Sequence, residues 1–156
     1  MCPLRRSDRG CTSYVWSRSV KGFLYAVAAM WLLAGVSKAI ALAVREPFLL
    51  DRDPVLRIQN AWLFAFVCQA EALGGAYLLF GSDLKRRLRV CTAASVGLLA
   101  YRISLGFIDP RIPCRCFGNS LSWFGMAPAA SDLLAAVAVI ICCVGSTLCW
   151  LWRASK

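Results

Sequence analysis

The chain has 156 residues, 60% of them apolar and only 17% charged, and its mean hydropathy is +0.63. A soluble domain carries about a quarter charged residues to cover its surface, so an ordinary soluble globule is excluded, and so is a disordered chain. With no histidine, the chain has no imidazole-ligated haem or zinc and no Ser-His or Cys-His catalytic couple.

In chain order, residues 1–21 form a basic arm containing Arg5, Arg6, Arg9, Arg18 and Lys21. Four apolar stretches follow, at about 22–44, 60–80, 89–108 and 129–152, each close to the ~20 residues that cross a bilayer core. Residues 153–156 remain as a tail. The expected architecture is all-α, a polytopic four-helix bundle filling one membrane domain over 22–152. Small residues at helical spacing, such as Ala65, Cys68, Ala72 and Gly75, let neighbouring backbones approach closely. Trp150 and Trp152 fall where the fourth span leaves the bilayer and suit an interfacial anchor.

A cleaved signal peptide is the competing reading of the first span. Its apolar run exceeds the ~7–15 residues of a signal core, lacks a small-x-small cleavage site and contains Lys38. A retained helix is expected.

Charge orients the bundle. The arm, the loop residues Lys85, Arg86, Arg87 and Arg89, and the tail residues Arg153 and Lys156 fall on one side. The opposite loops balance Arg45, Arg52, Arg57, Arg111 and Arg115 with Glu46, Asp51, Asp53, Asp109 and Asp132. The positive-inside rule then puts both termini in the cytoplasm of a bacterial inner membrane. The net charge of +10 reads as a topology and lipid-anchoring signal facing the anionic leaflet. No nucleic acid is implied, and the bilayer is the first partner.

The longest outer loop, 109–128, holds Ile112-Pro113-Cys114-Arg115-Cys116-Phe117-Gly118. Its two thiols are the only cysteines expected on the oxidising side. A disulfide across one residue departs from ordinary bridge geometry and is readily reduced. Arg111 and Arg115 place positive charge beside the sulfurs and favour thiolate. Thiol–disulfide exchange is the functional reading, with Cys114 and Cys116 as the redox pair and Pro113, Phe117 and Gly118 shaping the loop. A static loop staple, or unpaired small residues, is the structural one. Cu(I) on two thiolates ranks lower because no third ligand is evident, and no metal is assigned.

Lys38, Glu71 and Arg102 fall inside the first three spans, where unpaired charge is costly and marks a pairing or functional site. At ~1.5 Å per residue, Lys38 and Arg102 lie roughly 10 Å below the outer boundary and Glu71 roughly 15 Å below it, within reach of one another for long basic side chains. A buried Lys-Glu-Arg cluster beneath the cysteine loop is expected. It either locks helix register or lines a cavity for a quinone headgroup, a proton or a substrate. Cys68, three residues before Glu71, and Cys142 and Cys143 read as small apolar fillers.

These words together resemble the methylamine utilisation protein MauE family, within the DoxX-like set of four-helix membrane proteins. Ala34-Gly35-Val36-Ser37-Lys38 is similar to its Gly-x-x-Lys segment, and Glu71 with Gly75 and Gly81 to its Glu-x-x-x-Gly…Gly span. Arg102 and Cys114-x-Cys116-Phe117-Gly118 complete the likeness, which covers about residues 22–150. Arg115 stands where family members often have glycine. The resemblance implies an inner-membrane protein of methylamine metabolism or a related role. It further implies an association with maturation of disulfide-containing periplasmic proteins, alongside a thioredoxin-like partner. In methylamine users the client is the disulfide-rich small subunit of methylamine dehydrogenase.

Three functions compete: a redox-associated membrane protein, a non-catalytic assembly factor whose cysteine pair only stiffens a docking loop, and a small carrier or channel using the charged cluster. Short helices without broken segments place the carrier last.

Overall fold

A computed structural model describes the backbone over residues 8–108 and 128–154, and side chains over 18–108, 130 and 133–151. Four helices follow one another: α1 Asp8–Val44, α2 Asn60–Phe80, α3 Leu84–Ile108 and α4 Pro128–Ala154. There is no strand among the described residues. All four helices are long and apolar enough to cross a membrane, over Arg18–Val44, Asn60–Phe80, Leu84–Ile108 and Leu133–Leu151.

With 37 residues, α1 is about 55 Å long, nearly twice the ~30 Å hydrocarbon thickness. Helix therefore begins inside the segment read as a basic arm and runs unbroken into the membrane span. It ends abruptly for a local reason. Arg45 adopts the left-handed conformation (φ 54°), Glu46 N–H donates to the Ala41 carbonyl and Arg45 N–H to that of Leu42, both at 3.2 Å. These are the paired bonds of a Schellman stop, and Pro47, which opens a short 3-10 helix, Pro47–Leu50, cannot continue the α-helical ladder.

The turn from α2 to α3 is equally determined. Gly81 N–H closes α2 on the Tyr77 carbonyl at 2.8 Å. Asp83 then caps α3, its Oδ1 accepting from Lys85 N–H at 2.8 Å. That backbone hydrogen bond, followed by Arg86 and Arg89, holds the Asp83 carboxyl below the usual carboxylate range. The cap starts α3 at Leu84, five residues before the apolar run expected from Arg89.

Arg87, grouped above with the loop charges, is buried. Its guanidinium donates to the Leu78 and Gly81 carbonyls and lies 5.5 Å from the centre of the Tyr25 ring. It thus satisfies carbonyls that the end of α2 leaves open while tying α3 to α1.

Packing is pairwise, α1 along α2 and α3 along α4. In lipid there is no hydrophobic drive between apolar helices, so close van der Waals approach must hold them together. Glycines provide it: a Cβ at Gly75 would fall 2.8 Å from Leu32 Cγ and 3.2 Å from the Ala28 carbonyl oxygen. The pairs join at the α2–α3 end, where Leu24, Ala28 and Trp31 of α1, Leu78 of α2, Leu88 and Cys91 of α3 and Cys142 of α4 share one core. Elsewhere Leu33, Val36, Trp62, Phe66, Phe80 and Phe107 are exposed, an apolar surface that a soluble monomer would not tolerate and that lipid covers.

Candidate functional site

The charged site is built on a close part of the α1–α2 contact. A Cβ at Gly35 would lie 3.4 Å from the Cys68 carbonyl oxygen and 3.6 Å from Glu71 Cβ, so the two backbones nearly touch there. One turn further along α1, Lys38 meets Glu71. Its Nζ donates to Oε1 at 2.8 Å and to Oε2 at 2.9 Å, with side-chain exposures of 5% and 13%. The Cys68 thiol donates to the Gly35 carbonyl at 3.2 Å. Both carboxylate oxygens are engaged by one ammonium, the arrangement that makes a buried pair tolerable.

At the same end of the bundle, residues 45–59 are folded around Asp53, which is 3% exposed. Its Oδ1 accepts from Val55 N–H at 2.9 Å and Leu56 N–H at 2.6 Å. Its backbone pairs with Ile58 and Arg57, both at 2.8 Å. Arg57 is left-handed, with φ 58°. The second carboxylate oxygen accepts from the Tyr101 hydroxyl of α3. Asn60 fixes the other edge, its side chain donating to the Phe48 carbonyl at 3.0 Å, and Phe48 stacks edge-on against Phe64 with centroids 5.1 Å apart. Glu46 is buried here too, and its Oε2 has no hydrogen-bond partner among the described residues.

Of the expected charged trio, Lys38 and Glu71 are joined as an ion pair, and Arg102 stands half-buried on α3 next to Tyr101. Cys114, Cys116, Arg111, Arg115, Pro113, Phe117 and Gly118 lie outside the described residues. The described cysteines 68, 91, 142, 143 and 149 are free thiols. Sequence reasoning missed Asp53 and Tyr101. An Asp-Pro dipeptide marks a turn, yet nothing local announces a partner 48 positions away.

The family model of the methylamine utilisation protein MauE matches residues 17–152. The chain belongs to the MauE family. That match spans all four helices and takes in Lys38, Glu71, Arg102 and the Cys114–Cys116 segment, so the protein is a multi-pass membrane protein of the MauE family resident in a lipid bilayer. No curated protein and no solved structure matches it.

Within this MauE-family fold the ion pair offers little to a cofactor. A quinone headgroup seated on Lys38 or Glu71 would have to break a two-pronged contact whose members are almost wholly buried. The residues present do not fit a quinone at that position. They fit a fixed polar tie between α1 and α2, to which the thiol–carbonyl bond of Cys68 adds a neighbouring contact.

Proposed function

We propose that this MauE-family protein takes part in thiol–disulfide exchange on the outer face of a bacterial inner membrane, in methylamine utilisation or a related process. In this reading both termini are cytoplasmic and the segment 109–128 faces the periplasm. Cys114 and Cys116 are the reacting pair. A thiolate of the pair attacks a disulfide of a thioredoxin-like partner, a mixed disulfide forms, and the second cysteine resolves it, so that the pair and the partner exchange two electrons. Arg111 and Arg115 favour the thiolate by their charge. A disulfide-containing periplasmic protein is the downstream client.

The observation that carries this reading is the family match across 17–152, which contains the Cys-x-Cys word. The fold supports it with a rigid base: the Lys38–Glu71 tie and the Asp53–Tyr101 clamp fix α1, α2 and α3 at the end from which 109–128 springs. The two-pronged closure of Glu71 weighs against a carrier, whose pathway needs groups that release and rebind.

The test is a trapped intermediate. With Cys116→Ser, Cys114 should accumulate a mixed disulfide with a periplasmic protein, visible on a non-reducing gel and removed by dithiothreitol. Cys114 inert to thiol reagents in native membranes, or a Cys114→Ser/Cys116→Ser protein that still supports client maturation, would leave the pair a structural staple.

A further inference from the structure

The outward face of α2 holds a polar group where a lipid-facing helix should have none. Gly35 of α1 meets α2 at Cys68 and Glu71, and Trp31 and Leu32 meet it at Gly74 and Gly75, which fixes the face of α2 that α1 covers. Gln69 stands about 200° round the axis from Glu71, away from that contact, and is exposed. It is the tenth of the 21 residues of α2. That puts it roughly 15 Å from either end, at the middle of the ~30 Å hydrocarbon layer.

A carboxamide at that depth finds no hydrogen-bond partner in lipid. Hydroxyls in the other spans turn back on their own helices, Thr92 donating to the Leu88 carbonyl at 2.9 Å and Thr147 to that of Cys143 at 2.7 Å. The Gln69 side chain makes no hydrogen bond among the described residues. An amide left unpaired in hydrocarbon is costly, and pairing across a helix–helix interface removes the cost.

The residues around Gln69 suit a second helix. Trp62, Phe66, Gln69, Leu73 and Phe80 follow one another at steps of four, three, four and seven, the seam spacing of helices packed side by side. The four apolar members are 72% to 84% exposed. At ~150–250 Å² per ring, the three aromatic residues alone offer on the order of 500 Å² on each copy. Two copies would then bury about 1,000 Å², the area at which a specific interface begins. No charged residue belongs to the stripe, so two copies bring no like charges together along it.

We propose that the protein dimerises through this face of α2, about a two-fold axis along the membrane normal, with each Gln69 carboxamide hydrogen-bonded to its counterpart. A second copy is the occupant because a carboxamide is donor and acceptor at once and is therefore complementary to itself. Two copies inserted in the same sense also hold it at the same depth, as an isologous contact requires.

Two measurements on the full chain test this, and neither depends on the outer cysteine pair. Copies carrying donor or acceptor fluorescent proteins after Lys156 are reconstituted together in lipid vesicles, and energy transfer is followed as added lipid dilutes them. Gln69→Leu should need about tenfold more protein per lipid to reach the same transfer, and Gln69→Asn should stay closer to the unsubstituted chain. In native membranes, the photo-crosslinker p-benzoylphenylalanine in place of Phe66 should join two copies α2 to α2, whereas the same group in place of Leu33, exposed on α1, should not. The crosslink leaves Gln69 intact, so it probes the seam even if Gln69→Leu fails to fold. Energy transfer that Gln69→Leu leaves unchanged, or a product at position 66 that contains only lipid or a different protein, would overturn the assignment.

Discussion

Lys38 and Glu71 show how one buried pair can be necessary without being the source of stability. Desolvating both charges costs about as much as their attraction returns, whereas removing one partner strands the other. Lys38→Met should therefore destabilise the protein by about 3–5 kcal/mol, read as a loss of thermal stability in detergent. Adding Glu71→Leu should recover most of that loss. If the recovered double variant still supports client maturation, the pair is a register lock. If it folds and fails, the polar character itself is required. Asp53 poses a similar question with a neutral partner. Tyr101→Phe removes the bond from α3 to the 45–59 segment and leaves a buried carboxylate oxygen short of a donor, a cost of about 1–3 kcal/mol. The loss should be local: faster amide exchange at Val55, Leu56 and Arg57, with α2 unaffected. Unchanged exchange there would mean that the backbone bonds alone hold the loop.

Between elements, separation is set by what each glycine lies against. Gly75 faces Leu32 and the Ala28 carbonyl, and the second of these is backbone that cannot turn aside. Gly75→Val should therefore push α1 from α2 and cost about 1–3 kcal/mol by overpacking. Gly97→Ala, with nothing within 4 Å of the added carbon, should be neutral or slightly stabilising, since alanine is the better helix former. Equal effects of the two substitutions on thermal stability would show that the α1–α2 contact is slack. Of the small residues Ala65, Cys68, Ala72 and Gly75 read as a close-packed face of α2, Cys68 and Gly75 lie at the approach to α1, whereas Ala72 is exposed. The identity of the opposing helix was not legible, because small residues only permit an approach. Arg87 was hidden for a related reason: in sequence it is one of a run of loop cations, and only the fold shows that it turns back onto the end of α2.

For the whole molecule, length and hydropathy were enough to read four spans, since lipid demands an unbroken apolar helix of fixed length. The Lys38–Glu71 pair was legible too, because charge inside a span must find a partner. The Asp53–Tyr101 clamp was not, since a tyrosine in an apolar helix carries no sign of what it will face. The proposed sidedness rests on charge alone. With Arg87 withdrawn into the protein, Lys85, Arg86 and Arg89 remain exposed at the α2–α3 turn, joined by the basic residues of the two chain ends. An inward potential acts on each of them in the same direction. A fluorescent reporter that matures only in the cytoplasm should therefore light up when fused after Lys156, and a periplasm-dependent phosphatase inserted between Asp109 and Pro128 should be active. Impermeant maleimide on intact spheroplasts should label Cys114 or Cys116 and spare Cys149 until the membrane is opened. Labelling of Cys149 first would invert the bundle, move the outer pair into a reducing compartment and remove the basis for exchange with a periplasmic partner.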